Sequence, residues 1–519
     1  MPTIEKVKKE NGVVYTPDWI VKEILDKANF VRNIYIKRVI EPGCGDGAFL
    51  VQIVERIILD AKKHFISNKK IATLLNNNVF GLDIDKKAIN KCKLRLDLVC
   101  EKYGIPFPVW TNIQVANILS KELMKEYLGQ FDFVFGNPPY VRIQNLSKSA
   151  RAFVNSNLKL CEHGSTDLYI AFFELGFMFL NETGILGYIT PSSFLNSAAG
   201  KSLRSFLFDR KRVEILVDFE HHQVFENATT YSLITIVNNN INTRDVKLYK
   251  GNSSTIDASS IDLSLESFRN DNWILADIET LIKINEIKKR GTPLGKLAKI
   301  HTGLATLKDD VFIIADPTFD KNKEIATFII ESEDKDIPPK SVKIEAKILK
   351  KIIKASTWKF STEDQHRFII FPYKKDADNK HKIIPEKELK QDYPLAFAYF
   401  KSVRKELDTR DKGDSAKLEK YAAWYAFGRS QGIDTSFGKK IITAGINLEP
   451  RFIVCEEEDT TYYAGYSIHC DVDLYKLANE LNSSDMNLFI KHTSGNYSGG
   501  YKSYSKSAIE DFGVEFIKS

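Results

Sequence analysis

The chain has 519 residues, 43% hydrophobic and 27% charged, with a formal net charge of +6. That length exceeds one ordinary hydrophobic core, so two domains are expected, and the composition is that of a water-soluble globular protein. No apolar run reaches the roughly 18 residues of a membrane span, the polar N-terminus lacks a secretion signal, and six scattered cysteines show neither a disulfide framework nor zinc spacing. A reduced, cytoplasmic setting without a metal is expected.

Along residues 1–240, short β-rich runs alternate with amphipathic runs of helical spacing. Strands are expected at Arg38–Glu41, Val79–Asp83, Ile113–Ala116, Phe131–Phe135, Ile185–Ile189, Val213–Phe219 and Tyr231–Val237. Helices are expected at Ala48–Lys63, Lys86–Tyr103 and Leu168–Leu180, with an insertion over Lys62–Asn78. This alternation predicts an α/β fold: an open, mostly parallel sheet covered by helices, with ligands at the carboxyl ends of the strands.

The first chemical motif follows the first strand. Glu41-Pro42-Gly43-Cys44-Gly45-Asp46-Gly47 is a glycine turn opening a helix, where free backbone N–H groups can meet a carboxylate. Its G-x-G-x-G spacing differs from the dinucleotide fingerprint. Glu41 can face a cationic amino group, so a bound amino acid suits the turn better than a pyrophosphate. Asp83, with Ile84 after it, ends the second strand where ribose hydroxyls would be read. After the fourth strand comes Asn137-Pro138-Pro139-Tyr140. The prolines fix the backbone and leave carbonyls as acceptors, Asn137 adds an amide oxygen and Tyr140 an aromatic face. Two acceptors and a ring suit an exocyclic amine on a stacked base; the plain alternative is a rigid turn capping a strand.

From about Asn238 the texture changes. The stretch 246–270 reads as a Ser- and Asp-rich linker, and 271–519 as a second domain of short β-like runs and glycine-containing loops. Between Ser341 and Lys405 there are 16 Lys+Arg against 8 Asp+Glu, a local net of +8 that can attract a polyanion or simply be a solvated surface.

In this order the motifs of residues 1–245 resemble the gamma class of DNA amino-methyltransferases, the N6-adenine modification enzymes of Type II restriction–modification systems. The resemblance implies a Rossmann-like, seven-stranded methyltransferase domain using S-adenosylmethionine, followed by a C-terminal α+β target-recognition domain. Val14, Tyr15 and Thr16 match the N-terminal cofactor segment; Glu41 to Gly45, Asp83 and Ile84 match the methionine and ribose sites. Asn117 stands where the family has an aspartate reading the cofactor's adenine, a departure, with Ile118 beside it. The family's target-base motif is Asn137–Tyr140, with Asn137 and Pro139 also near the cofactor; Asn at its head favours adenine N6 over cytosine N4. Phe225, in Val224–Tyr231, matches the aromatic that sandwiches the flipped base, and is alternatively a core residue. In the second domain Arg429, Ser430 and Gln431 are the expected base readers, and Lys343, Lys350, Lys351 and Lys354 the expected phosphate contacts. Double-stranded DNA is the implied partner, with a separately encoded endonuclease acting on the same site, and a monomer is expected. Competing readings are action on cytosine N4, an RNA base or a protein glutamine, and a catalytically dead DNA-binding protein. Only fourteen residues precede Tyr15, which argues against a nuclease or helical domain ahead of it.

Overall fold

The computed structural model describes residues 16–161, 166–210, 212–225, 230–240, 245–264, 268, 272–330, 340–410 and 421–515. It divides into two compact units, Met1–Ile282 with Ser498–Gly500, and Lys283–Tyr497 with Tyr501–Ser519.

The first unit is built on one sheet. In chain order its elements are α1 (Asp18–Lys27), β1 (Val39–Pro42), α2 (Ala48–Lys63), α3 (Asn68–Asn78), β2 (Val79–Asp83), α4 (Lys86–Lys102), β3 (Ile113–Val115), α5 (Lys121–Glu126) and β4 (Phe131–Gly136). Then come α6 (Lys148–Asn157), α7 (Leu168–Phe179), β5 (Leu180–Pro191), α8 (Lys201–Arg210), β6 (Val213–Asp218), β7 (Ser232–Asn238), β8 (Asp245–Lys250) and β9 (Ile261–Ser264). The strand order is β3-β2-β1-β4-β5-β7-β6-β8-β9. Pairs from β3 through β5 are parallel, β7 runs antiparallel to both neighbours, β6 and β8 are parallel, and β9 is antiparallel. The sheet is therefore mixed and nine-stranded rather than seven-stranded.

Its two faces are covered separately. One apolar cluster joins Val39, Phe133, Phe135 and Ile234 to side chains of α1, α2 and α4. The other joins Ile40, Val134, Leu186 and Leu216 to α7 and α8. The alternation of Val39 with Ile40, and of Phe133 with Val134, is the strand's period of two read directly as two cores. Helix α2 buries Phe49, Leu50, Ile53, Val54, Ile57, Ile58 and Ala61, the spacing of one helical stripe. Helix α7 is buried nearly all round, as its apolar run Leu168-Tyr-Ile-Ala-Phe-Phe requires.

One expectation needs correction, and another gains its structure. The stretch 246–270 is in part sheet: Asp245–Lys250 pairs with β6 and Ile261–Ser264 with β8. Its polar residues misled because β8 is exposed at alternate positions while Val246 and Leu248 are buried. The insertion at 62–78 is largely helix α3, capped by Ser67, whose hydroxyl accepts the Lys70 N–H, and anchored by buried Ile71 and Leu75.

The second unit has several small sheets. Lys299–Thr302, Gly465–His469, Lys440–Ala444 and Phe452–Cys455 form one; Ile313–Ala315, Arg367–Ile370, Leu349–Lys354 and Thr461–Tyr463 form another. A three-stranded sheet ends in Lys340–Glu345. Helices Pro394–Ser402, Leu474–Leu481 and Ser484–Thr493 complete a mixed α and β unit. Among the described residues, no helix is long and apolar enough to cross a membrane.

Candidate active site

The sheet order reverses between β1 and β4, which lie side by side, with β2 beyond one and β5 beyond the other. In open α/β sheets the crevice outside the carboxyl ends at such a point is where ligands bind. Both chemical motifs end there. β1 runs into Glu41-Pro42-Gly43 and β4 into Gly136-Asn137-Pro138, in parallel register through Val39–Phe133 and Ile40–Val134. A Cβ built on Gly43 would stand 4.0 Å from Pro139 Cδ, and one on Gly136 would stand 3.7 Å from Glu41 Cγ. The glycine turn and the tetrapeptide thus lie beside each other.

The turn is held by hydrogen bonds to β2. Gly43 and Cys44 N–H groups donate to the Leu82 carbonyl at 2.7 and 2.9 Å, and the Gly45 N–H donates to Asp83 Oδ2 at 2.8 Å. Asp46 is ion-paired with Lys91 (2.6 Å) and Arg95 (3.0 Å) of α4. Gly45 has φ of +52° and would meet nothing within 4 Å of a Cβ, so the backbone offers an open cradle. Beside it Glu41 is buried, and its Oε2 has no hydrogen-bond partner among the described residues. Burial pushes its carboxyl well above the usual range, with Cys92, Asp83 and Asp46 adding to the rise against a Leu50 N–H that opposes it. A buried carboxylate with an unused oxygen, surrounded by other acids, is suited to an ammonium group.

Of the other residues expected around a cofactor, Val14 and Tyr15 lie outside the described residues. Thr16 is buried, and its hydroxyl accepts from the Asn137 amide nitrogen at 3.0 Å, tying the N-terminal segment to the tetrapeptide. Asp83 Oδ1 also accepts the Asp85 N–H at 2.8 Å, so one carboxylate ties the glycine turn to the loop that follows β2. Ile84 is 70% exposed directly after it, an apolar surface beside the cradle. Asn117 is exposed, and its oxygen accepts the Leu119 N–H at 3.0 Å. Its amide therefore presents donors, where an aspartate would present acceptors. Cys44 and Ile118 have buried side chains, which leaves their backbones as what they can offer a ligand. Pro42 is the last, buried residue of β1.

In the tetrapeptide, the Asn137 nitrogen donates to Thr16, which turns the amide oxygen to the other side of the group. Pro138 is buried, and Pro139 and Tyr140 are half-buried. The Tyr140 hydroxyl is buried near Ser232 at the start of β7, and burial drives its pKa upward despite that neighbour. Phe225 differs from expectation. It is 2% exposed, packed in the core under α1, with its ring edge-on to Tyr140 (centroids 6.3 Å apart, 69° between planes). In this arrangement Phe225 takes the core position that was the alternative expected for it, with its ring against Tyr140.

In the second unit, Gly428 and Arg429 N–H groups donate to the Thr306 and Ala305 carbonyls at 2.8 and 3.1 Å, so this loop lies along residues 303–307. Arg429, Ser430 and Gln431 are exposed, and the Gln431 amide donates one N–H to the Gly303 carbonyl at 3.2 Å. Lys343 is exposed, and Lys350 and Lys354 are half-exposed. Lys351 is ion-paired with Asp364 (3.2 Å) and Glu457 (3.1 Å), which removes it as a spare positive charge.

An α/β sheet with an amino-acid cradle and an Asn-Pro-Pro-Tyr loop at its switch point defines the class. Residues 77–225 match the family model described as Eco57I restriction-modification methylase. Among curated proteins it is 26% identical over 515 residues to the Type II restriction enzyme and methyltransferase RM.Eco57I of Escherichia coli (84% of this chain, 49% of the relative). It is 28% identical over 360 residues to the Type II methyltransferase M.BstVI of Geobacillus stearothermophilus (62% and 64%). It is 25% identical over 516 residues to the Type II methyltransferase M.BanIII of Aneurinibacillus aneurinilyticus (88% and 80%). The chain thus spans 49% and 64% of the first two relatives. Among solved structures, the Type IIL restriction-modification enzyme MmeI in complex with DNA superposes with a TM-score of 0.59 at 14% identity, covering 98% of this chain and 65% of that one, a likeness of fold.

Proposed function

We propose that the protein is a site-specific DNA methyltransferase of a Type II restriction–modification system, acting on the N6 amine of adenine. The juxtaposition of the glycine turn with Asn137–Tyr140, Gly43 beside Pro139, is the observation that carries this reading. Family and relatives support methyl transfer to DNA; the choice of adenine rests on Asn137 at the head of the tetrapeptide.

S-adenosylmethionine would supply a methyl group on a positively charged sulfur. Glu41 would accept its ammonium, the Gly45 backbone would leave room for its amino-acid end, and Asp83 and Ile84 would hold the ribose side. Asn117 would donate to a ring nitrogen of its adenine. The target base lies inside a duplex, so it must be extruded, at a cost of a few kcal/mol. Stacking on Tyr140 offsets this by about 1–3 kcal/mol. The Asn137 amide oxygen and the Pro138 carbonyl accept the two amine protons as hydrogen bonds, aligning the nitrogen lone pair; positioning is the main contribution. The second unit would be the target-recognition domain, with Arg429 and Ser430 at base edges and Lys343, Lys350 and Lys354 on phosphates.

The test is transfer of a tritiated methyl group from S-adenosylmethionine to duplex DNA. Asn137→Ala should lower it by a factor of about 100 or more while cofactor affinity changes little. Wild-type inactivity on every duplex, or near-normal turnover by Asn137→Ala, overturns the assignment. Mapping the product distinguishes adenine from cytosine.

A further inference from the structure

Two residues beyond Tyr140 stands Arg142, whose side chain is 60% exposed, with Nε 3.4 Å from Asp167 Oδ1. The backbone fixes this pair. The Leu168 N–H donates to the Val141 carbonyl at 2.7 Å and the Ile143 N–H to the Thr166 carbonyl at 2.9 Å. Arg142 and Asp167 therefore face each other across an isolated antiparallel bridge. Directly opposed residues of such a bridge project to one face, so the carboxylate steers the guanidinium. Asp167 is itself half-buried at the start of α7, where burial pushes its carboxyl up and Arg142 holds it down.

An exposed ion pair adds little to stability, yet this one is set by two backbone hydrogen bonds against the tetrapeptide. A guanidinium is a planar fork of donors whose geometry matches phosphate oxygens. Two extended residues beyond Tyr140 place it about 7 Å along the chain, on the scale of one nucleotide step from a base lying against that ring.

We propose that Arg142, positioned by Asp167, binds the DNA backbone phosphate next to the extruded nucleotide and holds the strand at the mouth of the Tyr140 pocket. This rests on the base-extruding reading above. Asp167 is a positioning residue.

The experiment measures duplex binding by the full chain between low and moderate salt, together with 2-aminopurine fluorescence at the target position and methyl transfer. Arg142→Ala should reduce the slope of log affinity against log salt by about 0.9, one phosphate contact, and diminish the flipping signal at saturating DNA. Arg142→Lys should restore the slope. Asp167→Asn should keep the wild-type slope yet diminish the flipping signal, which a merely structural ion pair would not do. Arg142→Gln replaces the alanine variant if that variant melts below the wild type. A wild-type slope in Arg142→Ala or Arg142→Gln overturns the phosphate contact, and undiminished flipping in Asp167→Asn overturns its positioning role. Absence of transfer by the wild type overturns the methyltransferase reading and this inference with it; transfer with an unchanged slope overturns this inference alone.

Discussion

Glu41 concentrates the tension of the site in a single side chain. Its folded-state carboxyl titrates well above the ordinary value, first because it is buried and then because Cys92, Asp83 and Asp46 lie near. A raised carboxyl holds its proton in the folded state at pH values where the unfolded chain has lost it. The folded protein is therefore penalised progressively as pH rises from the unfolded value through the folded one. Glu41→Gln removes the penalty, and the ligand-free protein should melt a few degrees higher at neutral pH. The same change removes the acceptor for an ammonium, so S-adenosylmethionine binding should weaken by about tenfold or more, the scale of one charged hydrogen bond lost. In the wild type, cofactor binding should release a proton and strengthen as pH rises towards the raised carboxyl pKa. Calorimetry in two buffers of different ionisation heat checks this, and Glu41→Gln should abolish the dependence. At this scale the place of Glu41 was legible in the sequence, as an acid at the end of a strand before a glycine turn. Phe225 was not legible. Its position after Val224 matches a stacking residue, but only packing reveals that its ring is spent on the core.

At the scale of elements, the turn from β1 to α2 depends on how closely α2 approaches α4. Gly47 precedes α2 with φ of +87°, and a Cβ there would lie 2.6 Å from Cys92 Sγ. Two penalties coincide, a left-handed backbone and a collision inside a core. Gly47→Ala should destabilise the first unit by about 1–3 kcal/mol. Since Asp46, adjacent to it, is ion-paired to α4, the shift should also reach the cradle and reduce cofactor affinity. Thermal melting and calorimetry test both; wild-type values in each would show that the turn tolerates the methyl group. Most strands of the first sheet were legible because β1, β2, β4, β6 and β7 are local apolar runs buried on two faces. Strands β8 and β9, at one end of the sheet, were not, since Asp245, Lys247 and Asp262 face solvent and break the apolar run. The second unit hid more. Thr461–Tyr463 pairs in parallel with Ile352–Lys354 more than a hundred residues away, and strands this short leave no period to read.

Across the whole molecule, charge says more when each cation is assigned its partners. The local excess of +8 between Ser341 and Lys405 counts every lysine equally, but a lysine held by two carboxylates adds nothing to a surface field. Burial works against the Lys351 ammonium, and Glu457 and Asp364 more than compensate, raising its pKa. Lys343, Lys350 and Lys354 are partly or fully exposed. If these three meet phosphates, neutralising all of them to Ala should reduce the salt slope of duplex binding by about 2.7, at about 0.9 for each contact. S-adenosylmethionine affinity should not change, because the cradle is made entirely by residues of the first unit. Lys351→Ala should behave in the opposite way. It leaves Asp364 and Glu457 without the cation that holds them near each other, so the melting temperature should fall while the salt slope stays close to wild type. Filter binding over a salt series, with melting curves for the same variants, separates the two effects. A slope that falls for Lys351→Ala but not for the triple variant would place the DNA-facing surface of the second unit on the other side of this strand.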